Sequence, residues 1–315
     1  MSNATESLPA GTDTGTAART GLASIADADG VFSIVAMDQR NTLKRMFAAV
    51  GHPAETSDLR TAKIDVAAAL TPLASGILLD PTYGVPAVTE GRALAATCGL
   101  LVAAEPSERG TLNGEPRTHR DPALNASWVR DQGGDAVKFL VQLRPGRPAG
   151  GPDLAAEVLD VVREVVADCA AQGIPSVIEN LIYPLPGEEL TAQQREDLIV
   201  EAAALLADTG ADLVKLEYPG SPRGCRRIAE VVRQPWAVLS AGVGFEEFQR
   251  VLKDACEEGG ASGFIAGRSI WKEAVGLDGP ARAEFLDSVA RPRLETCLTA
   301  VAGRARPWTE AVSAR

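Results

Sequence analysis

Eight short apolar runs punctuate this chain, and most of the gaps between them carry helical periodicity. The runs are 31–37, 76–80, 99–103, 136–142, 176–179, 213–216, 237–240 and 263–266. They are apolar without alternation, as strands are when both faces are covered. Residues 153–171 read as an amphipathic helix, with Asp153 as its N-cap and Gly173 as its stop. Residues 191–209 repeat the pattern, with Thr191 capping and Gly210 following, and 245–258 end in Gly259-Gly260. Strands alternating with helices predict a parallel sheet. Eight such units over about 280 residues predict a single-domain (β/α)8 TIM barrel of the α/β class. A doubly wound open sheet is the competing architecture. No G-x-G-x-x-G follows the first run, which counts against its dinucleotide-binding version.

Residues 1–21, rich in Ser, Thr, Ala and Gly, read as a mobile tail, 22–302 as the barrel, and 303–315 as a C-terminal arm. Within the barrel, 105–125 is a long irregular loop containing Gly110, Gly114, Pro116 and Pro122. Loops of that length are usually functional or disordered. Residues 144–152 form a Pro/Gly connector. Aromatics are only 4% of residues, so the core must be aliphatic. The 31 Lys and Arg against 42 Asp and Glu give a net charge of -11, which excludes bulk attraction to nucleic acid or an anionic membrane. An anionic substrate would therefore need a local cationic pocket. Five widely spaced cysteines, no C-x-x-C and two histidines (His52 and His119, both in loop contexts) leave no zinc constellation, so no metal or other cofactor is expected. The same cysteine usage suits reduced thiols in a cytoplasmic protein. No basic start leads into an apolar run and no stretch nears ~18 apolar residues, so neither a secretory signal nor a membrane span is expected. Oligomeric state is left open, a homo-oligomer included.

Charges that interrupt buried strands need a reason, and in barrels the C-terminal strand ends form the active-site face. Lys215 sits inside Leu213-Val214-Lys215-Leu216-Glu217, where alternation puts Leu213, Lys215 and Glu217 on one face. A desolvated lysine is either ion-paired or a free amine able to form a Schiff base. Lys138 interrupts 136–142 in the same way, sharing a face with Leu140 and Gln142. Two converging ammonium groups would depress each other's pKa. Glu179 ends the fifth run and could balance charge, move protons, or form a structural salt bridge to either lysine. The first run ends in Asp38-Gln39-Arg40: Asp38 could accept from a hydroxyl or cap the next helix, and Arg40 could grip a phosphate. Asp80, before Pro81, is a candidate substrate residue or a turn residue. The seventh and eighth runs end in Ser240-Ala241-Gly242 and Gly267-Arg268. Small residues there let backbone N–H groups approach an anion, and Arg268 adds charge, as in the recurrent barrel phosphate site. Tight strand-to-helix turns are the other reading of those glycines.

Taken in order, the segments Ala36-Met37-Asp38-Gln39-Arg40, Leu79-Asp80-Pro81-Thr82-Tyr83-Gly84, Asp135-Ala136-Val137-Lys138-Phe139-Leu140, Asp212-Leu213-Val214-Lys215-Leu216-Glu217, Leu239-Ser240-Ala241-Gly242-Val243 and Gly263-Phe264-Ile265-Ala266-Gly267-Arg268 resemble the tagatose 1,6-bisphosphate aldolase family. The likeness runs from about residue 32 to about residue 274. The resemblance implies a metal-independent class I aldolase on a (β/α)8 barrel that cleaves a phosphorylated ketose to dihydroxyacetone phosphate and glyceraldehyde 3-phosphate. It implies the Schiff-base lysine at Lys215, proton-transfer and charge partners at Glu179 and Lys138, and hydroxyl-binding residues at Asp38 and Gln39. The related sulfofructose-phosphate aldolases share these motifs, and a sugar-phosphate-binding barrel without turnover is a further alternative. The segments 144–147 and 182–186 depart from the family pattern, and so does the N-terminal extension.

Overall fold

A computed structural model describes residues 20–147 and 152–313. Residues 1–19 of the expected tail, 148–151 of the connector, and the last two residues of the arm lie outside them. The barrel strands are β1 (Phe32–Met37), β2 (Gly76–Leu79), β3 (Gly99–Ala103), β4 (Ala136–Val141), β5 (Ser176–Asn180), β6 (Leu213–Leu216), β7 (Trp236–Leu239) and β8 (Gly263–Ala266). Each pairs in parallel with its neighbours and β8 returns to β1, closing the ring. The expected (β/α)8 TIM barrel is therefore the fold, and the open sheet is excluded. Every apolar run became a strand to within a residue or two, because parallel barrel strands are buried on both faces and leave no polar alternation to blur their ends.

Two apolar layers follow from this closure. Leu78, Leu101, Ala136, Val177, Leu213 and Ala237 fill the lumen. Val137, Ile178 and Val214, one position along, face the helices outside. The period of two then carries Lys138, Glu179 and Lys215 to the lumen side at the C-terminal ends of their strands. Strand register brings two of them together, since Glu179 pairs directly with Lys215 across β5 and β6.

The helices begin and end where the sequence says they should. Asp153 caps Leu154–Gln172, and Gly173 ends it in the left-handed region at φ 65°. Thr191 and Gln194 form a capping box for Ala192–Ala207. The far end of the barrel is plugged by Leu22, Ile25 and Ala26, with Trp308 of the last helix, Trp308–Ser313, packed against them. The arm is thus anchored to the barrel, and Trp308 N–H donates to the Gly30 carbonyl. All five cysteines are buried free thiols. No helix among the described residues is long and apolar enough to cross a membrane.

Loop 105–125 is ordered by side chains. Thr111–Leu112 and Glu115–Pro116 pair as a small hairpin. The Arg147 guanidinium grips both Glu115 oxygens, one at 2.7 Å, and the Tyr183 hydroxyl donates to Glu115 at 3.0 Å. Arg144 donates to both oxygens of Glu188, at 2.7 and 3.0 Å. Segments 144–147 and 182–186 are thereby tied to this loop and to each other.

Candidate active site

A cavity of about 350 Å³ opens at the C-terminal strand ends. Asp38, Gln39 and Arg40 after β1, Lys138 on β4, Glu179 on β5 and Lys215 on β6 line it. Ser240 after β7 and Gly267 and Arg268 after β8 complete the wall. A larger hollow of about 800 Å³ lies at the opposite end, but among the described residues its charged lining is limited to Asp27 and Asp29. Chemistry rather than size picks out the site.

Lys138 is the electrostatic hub, with only 1% of its surface exposed. Its Nζ lies 3.0 Å from Asp38 Oδ2, 2.8 Å from Glu105 Oε1 and 2.8 Å from Glu179 Oε2. Burial alone would lower its pKa, but the three carboxylates outweigh that and hold the ammonium well above the ordinary lysine value. The sequence-based expectation that two converging lysines depress each other therefore fails for Lys138, because three carboxylates lie within 3.0 Å of its Nζ. Among the described residues, Lys215 Nζ has a single carboxylate contact, Glu179 Oε1 at 3.0 Å. Glu179 so bridges the two lysines, one oxygen to each. Burial would raise its carboxyl, but the charges of Lys138 and Lys215 hold it below the usual glutamate range. Asp38 is held well below the aspartate range by the same two ammonium groups, against the same burial penalty.

Asp38 faces the lysines and does not cap a helix: the residue in the N-cap position of Asn41–Ala49 is Arg40. Gln39 Nε2 donates to Asp38 Oδ1 at 3.2 Å, while its buried Oε1 has no donor among the described residues. That orphaned acceptor on the cavity wall suits a ligand hydroxyl. The backbone on either side of Asp38 is fixed from beneath by Lys63, whose Nζ donates to the Met37 and Gln39 carbonyls at 2.5 and 3.0 Å. Lys63 is in turn paired with Asp80 Oδ1 at 2.7 Å. Asp80 is fully buried, accepts the N–H groups of Thr82, Tyr83 and Gly84, and does not line the cavity. The expectation that Asp80 binds substrate is corrected: β2 ends at Leu79 and the turn at Pro81 swings the carboxylate out of the lumen.

On the opposite wall, Gly267 permits the close approach of β8 to β1, since a Cβ there would stand 1.9 Å from the Ala36 carbonyl oxygen. Gly242 does not line the cavity, contrary to its expected role in direct contact. It adopts φ +82° and lets Arg268 pack over its backbone, where a Cβ would come within 3.1 Å of the guanidinium carbon. The Ser269 hydroxyl donates to the Val243 carbonyl at 2.6 Å and clips the two loops together. Glu217 also leaves the site, because β6 ends at Leu216; its carboxylate accepts from Ile182 N–H at 2.7 Å. His52, beside Asp58, and His119, exposed in the long loop, do not line the cavity.

Sequence reasoning missed Glu105, Arg109, Arg45 and Lys63. Glu105 carries the same signal as the others, a carboxylate closely following an apolar run, but it also opens the irregular stretch 105–125, where a charge is ordinary. Arg109 and Arg45 lie in loop and helix, where an arginine is ordinary. Around the cavity, Arg40, Arg45, Arg109, Lys138, Lys215 and Arg268 face three carboxylates, Asp38, Glu105 and Glu179. A chain of net charge -11 has thus concentrated cations at one site.

Comparison with known proteins is consistent across this span. The sequence profile of the DeoC/LacD family aldolases matches residues 32–273. Tagatose 1,6-diphosphate aldolase 2 of Streptococcus agalactiae is 28% identical over 319 residues, covering 91% of this chain and 96% of that protein. A tagatose 1,6-diphosphate aldolase of Staphylococcus aureus is 31% identical over 280 residues, 78% of this chain and 82% of that one. Among solved structures, a Corynebacterium glutamicum protein superposes with a TM-score of 0.63 at 19% identity, covering 89% and 88% of the two chains. An archaeal fructose-1,6-bisphosphate aldolase, with its catalytic lysine bound to the carbinolamine intermediate, superposes at 0.58 and 17% identity, covering 87% and 96%. At those identities the structural likeness is one of fold.

Proposed function

Because this chain belongs to the DeoC/LacD family of aldolases, and is therefore a carbon–carbon lyase, we propose that it cleaves a ketose 1,6-bisphosphate of the tagatose type through a Schiff base on Lys215, as a class I aldolase. The observation that carries this reading is the asymmetric pairing of the two lysines. Lys138 is locked among three carboxylates, whereas among the described residues Lys215 pairs with one carboxylate, Glu179.

The steps follow from that arrangement. Glu179 takes a proton from Lys215, and the free amine attacks the ketone carbon to form a carbinolamine. Protonated Glu179 returns the proton to the departing hydroxyl, water leaves, and an iminium remains. Glu179, again a carboxylate, accepts the C4 hydroxyl proton. The C3–C4 electron pair flows into the iminium, and glyceraldehyde 3-phosphate departs. Glu179 then protonates the enamine at C3, and water hydrolyses the resulting iminium to free dihydroxyacetone phosphate and Lys215. The iminium is the electron sink, so no metal is needed to stabilise the developing carbanion. Lys138 keeps Glu179 and Asp38 ionised and fixed. Asp38 and Gln39 receive substrate hydroxyls. Ser240, Gly267 and Arg268 anchor the phosphate next to the ketone, with Gly242 making room for Arg268; that anchored charge orients the carbonyl over Lys215.

The test is cleavage of tagatose 1,6-bisphosphate by protein dialysed against EDTA. Release of both triose phosphates at an undiminished rate is the expected result. Activity that vanishes and returns with added zinc would replace the imine with a metal-dependent reaction. Tight binding with no turnover would favour a sugar-phosphate-binding barrel.

A further inference from the structure

Once each carboxylate of the cavity is matched to its partners, three cations remain without an ion pair among the described residues: Arg109, Arg268 and Arg45, the last exposed on the Asn41–Ala49 helix and donating to Thr42 Oγ1. Lys138 is enclosed, Lys215 rests on Glu179, and Arg40 lies 3.7 Å from Glu105. Arg109 and Arg268 line the cavity, and neither forms an ion pair with a carboxylate among the described residues. Their places in the fold set them apart. Arg268 follows β8, while Arg109 Nη1 donates to the Leu140 carbonyl of β4 at 3.1 Å. In the closed order of eight strands, β4 and β8 stand four apart, on opposite walls, and β6 with Lys215 lies midway between them.

Arg109 is held there by its surroundings. Glu105 Oε2 accepts from Leu140 N–H at 3.1 Å, and Arg40 Nη2 donates to the Glu105 carbonyl at 2.9 Å. Arg40 and Arg109 are therefore both moored on the Glu105–Leu140 pair. The Glu115–Arg147–Tyr183 cluster pins the hairpin that follows in the same loop. Arg109 spends Nη1 on a backbone carbonyl and holds Gln142 Oε1 with Nη2 only at the long distance of 3.5 Å, so its planar fork, unpaired with any carboxylate among the described residues, can still turn donors to the oxygens of a tetrahedral anion.

We infer that Arg109, with Arg40 beside it, forms a second anion subsite that takes the charged group at the far end of the substrate chain, across the lumen from the Arg268 site. This inference rests on the proposed reaction for the orientation of the substrate, with its ketone end at Arg268. The ligand chemistry is a tetrahedral oxyanion on C6, either phosphate or sulfonate. Arg109 belongs to the 105–125 loop, which Arg147 and Tyr183 pin through Glu115, so the shape of that loop sets which charged group the far end of the cavity accepts.

Hexitol phosphates, which have no ketone and cannot form a Schiff base, read the subsite without turnover. Calorimetry would compare hexitol 1,6-bisphosphate, the 1-phosphate 6-sulfonate and the plain 1-phosphate. The wild-type protein is expected to bind the better of the two doubly charged ligands about 100-fold more tightly than the 1-phosphate, the effect of charge-assisted hydrogen bonds to one half-buried guanidinium. Whichever ligand gains more identifies the oxyanion. Arg109→Met is expected to cut that ratio at least tenfold, and Arg109→Lys to retain part of it. A ratio taken within one variant is independent of how much of that variant is folded. Equal binding of all three ligands by the wild type, or an unchanged ratio in Arg109→Met, overturns the subsite. Turnover of the corresponding ketoses, measured separately, bears on the Schiff-base reading: the expected binding with no cleavage would sink that reading and leave the subsite standing.

Discussion

Replacing Lys215 with methionine is expected to lower kcat by at least about 10⁴-fold, equivalent to ~5.5 kcal/mol of transition-state stabilisation, while leaving the protein folded. The nucleophile is lost, and no other amine can take its place: Lys138 is held protonated by Asp38, Glu105 and Glu179. The change is also structurally mild. Methionine keeps the apolar stem that packs above Leu213, and Glu179, deprived of Lys215, still has Lys138 at 2.8 Å. No buried charge is stranded, so circular dichroism and thermal unfolding should be close to wild type. The equivalent change at Lys138 would leave three carboxylates around an apolar side chain, and the resulting instability would obscure any catalytic effect. A Lys215→Met protein that is folded and turns over normally would end the proposal.

Glu179→Gln is expected to cost about 10³-fold in kcat, within the range for removal of a general acid–base group. The amide still accepts a hydrogen bond from Lys138 but cannot carry the C4 hydroxyl proton. The pH profile separates this role from a merely structural one. The neighbouring ammonium groups lower the Glu179 pKa, so the carboxylate is the resident form throughout the ordinary glutamate range. Wild-type cleavage should therefore be sustained through that range and fall only as pH drops through the lowered value. The same sign governs stability: the carboxylate's contribution is present above the ordinary glutamate pKa and is lost on acidification below it. In Glu179→Gln the acid limb belonging to this group should disappear. An acid limb that survives unchanged would assign the proton to another residue.

The fold was legible because a parallel barrel makes its strands uniformly apolar, and punctuation such as Asp153, Gly173 and Thr191 marked the intervening helices. The three residues at the centre of the candidate site were legible for the same reason: Lys138 and Lys215 lie inside, and Glu179 closes, runs that carry no other charge. Period two even gave their common direction. What it could not give was what happens one residue past a strand end. Asp38 continues the lumenal alternation of β1, whereas Asp80 sits just after β2 and turns outward to Lys63. Nor could periodicity find Glu105 and Arg109, which are placed by a loop whose shape depends on Glu115, Arg147 and Tyr183, far apart in sequence. Lys63 is an unremarked helical lysine until the fold sets it under the Met37 and Gln39 carbonyls. The lowered pKa expected of Lys138 failed because three carboxylates, one of them Glu105, are committed to its ammonium.

Reduction with borohydride during turnover of the ketose bisphosphate addresses the central claim most directly. The reduced imine should appear by peptide mass spectrometry as a single adduct on the peptide containing Lys215, with loss of activity in proportion to labelling. An adduct on Lys138, or active cleavage with no adduct on any lysine, would contradict the account.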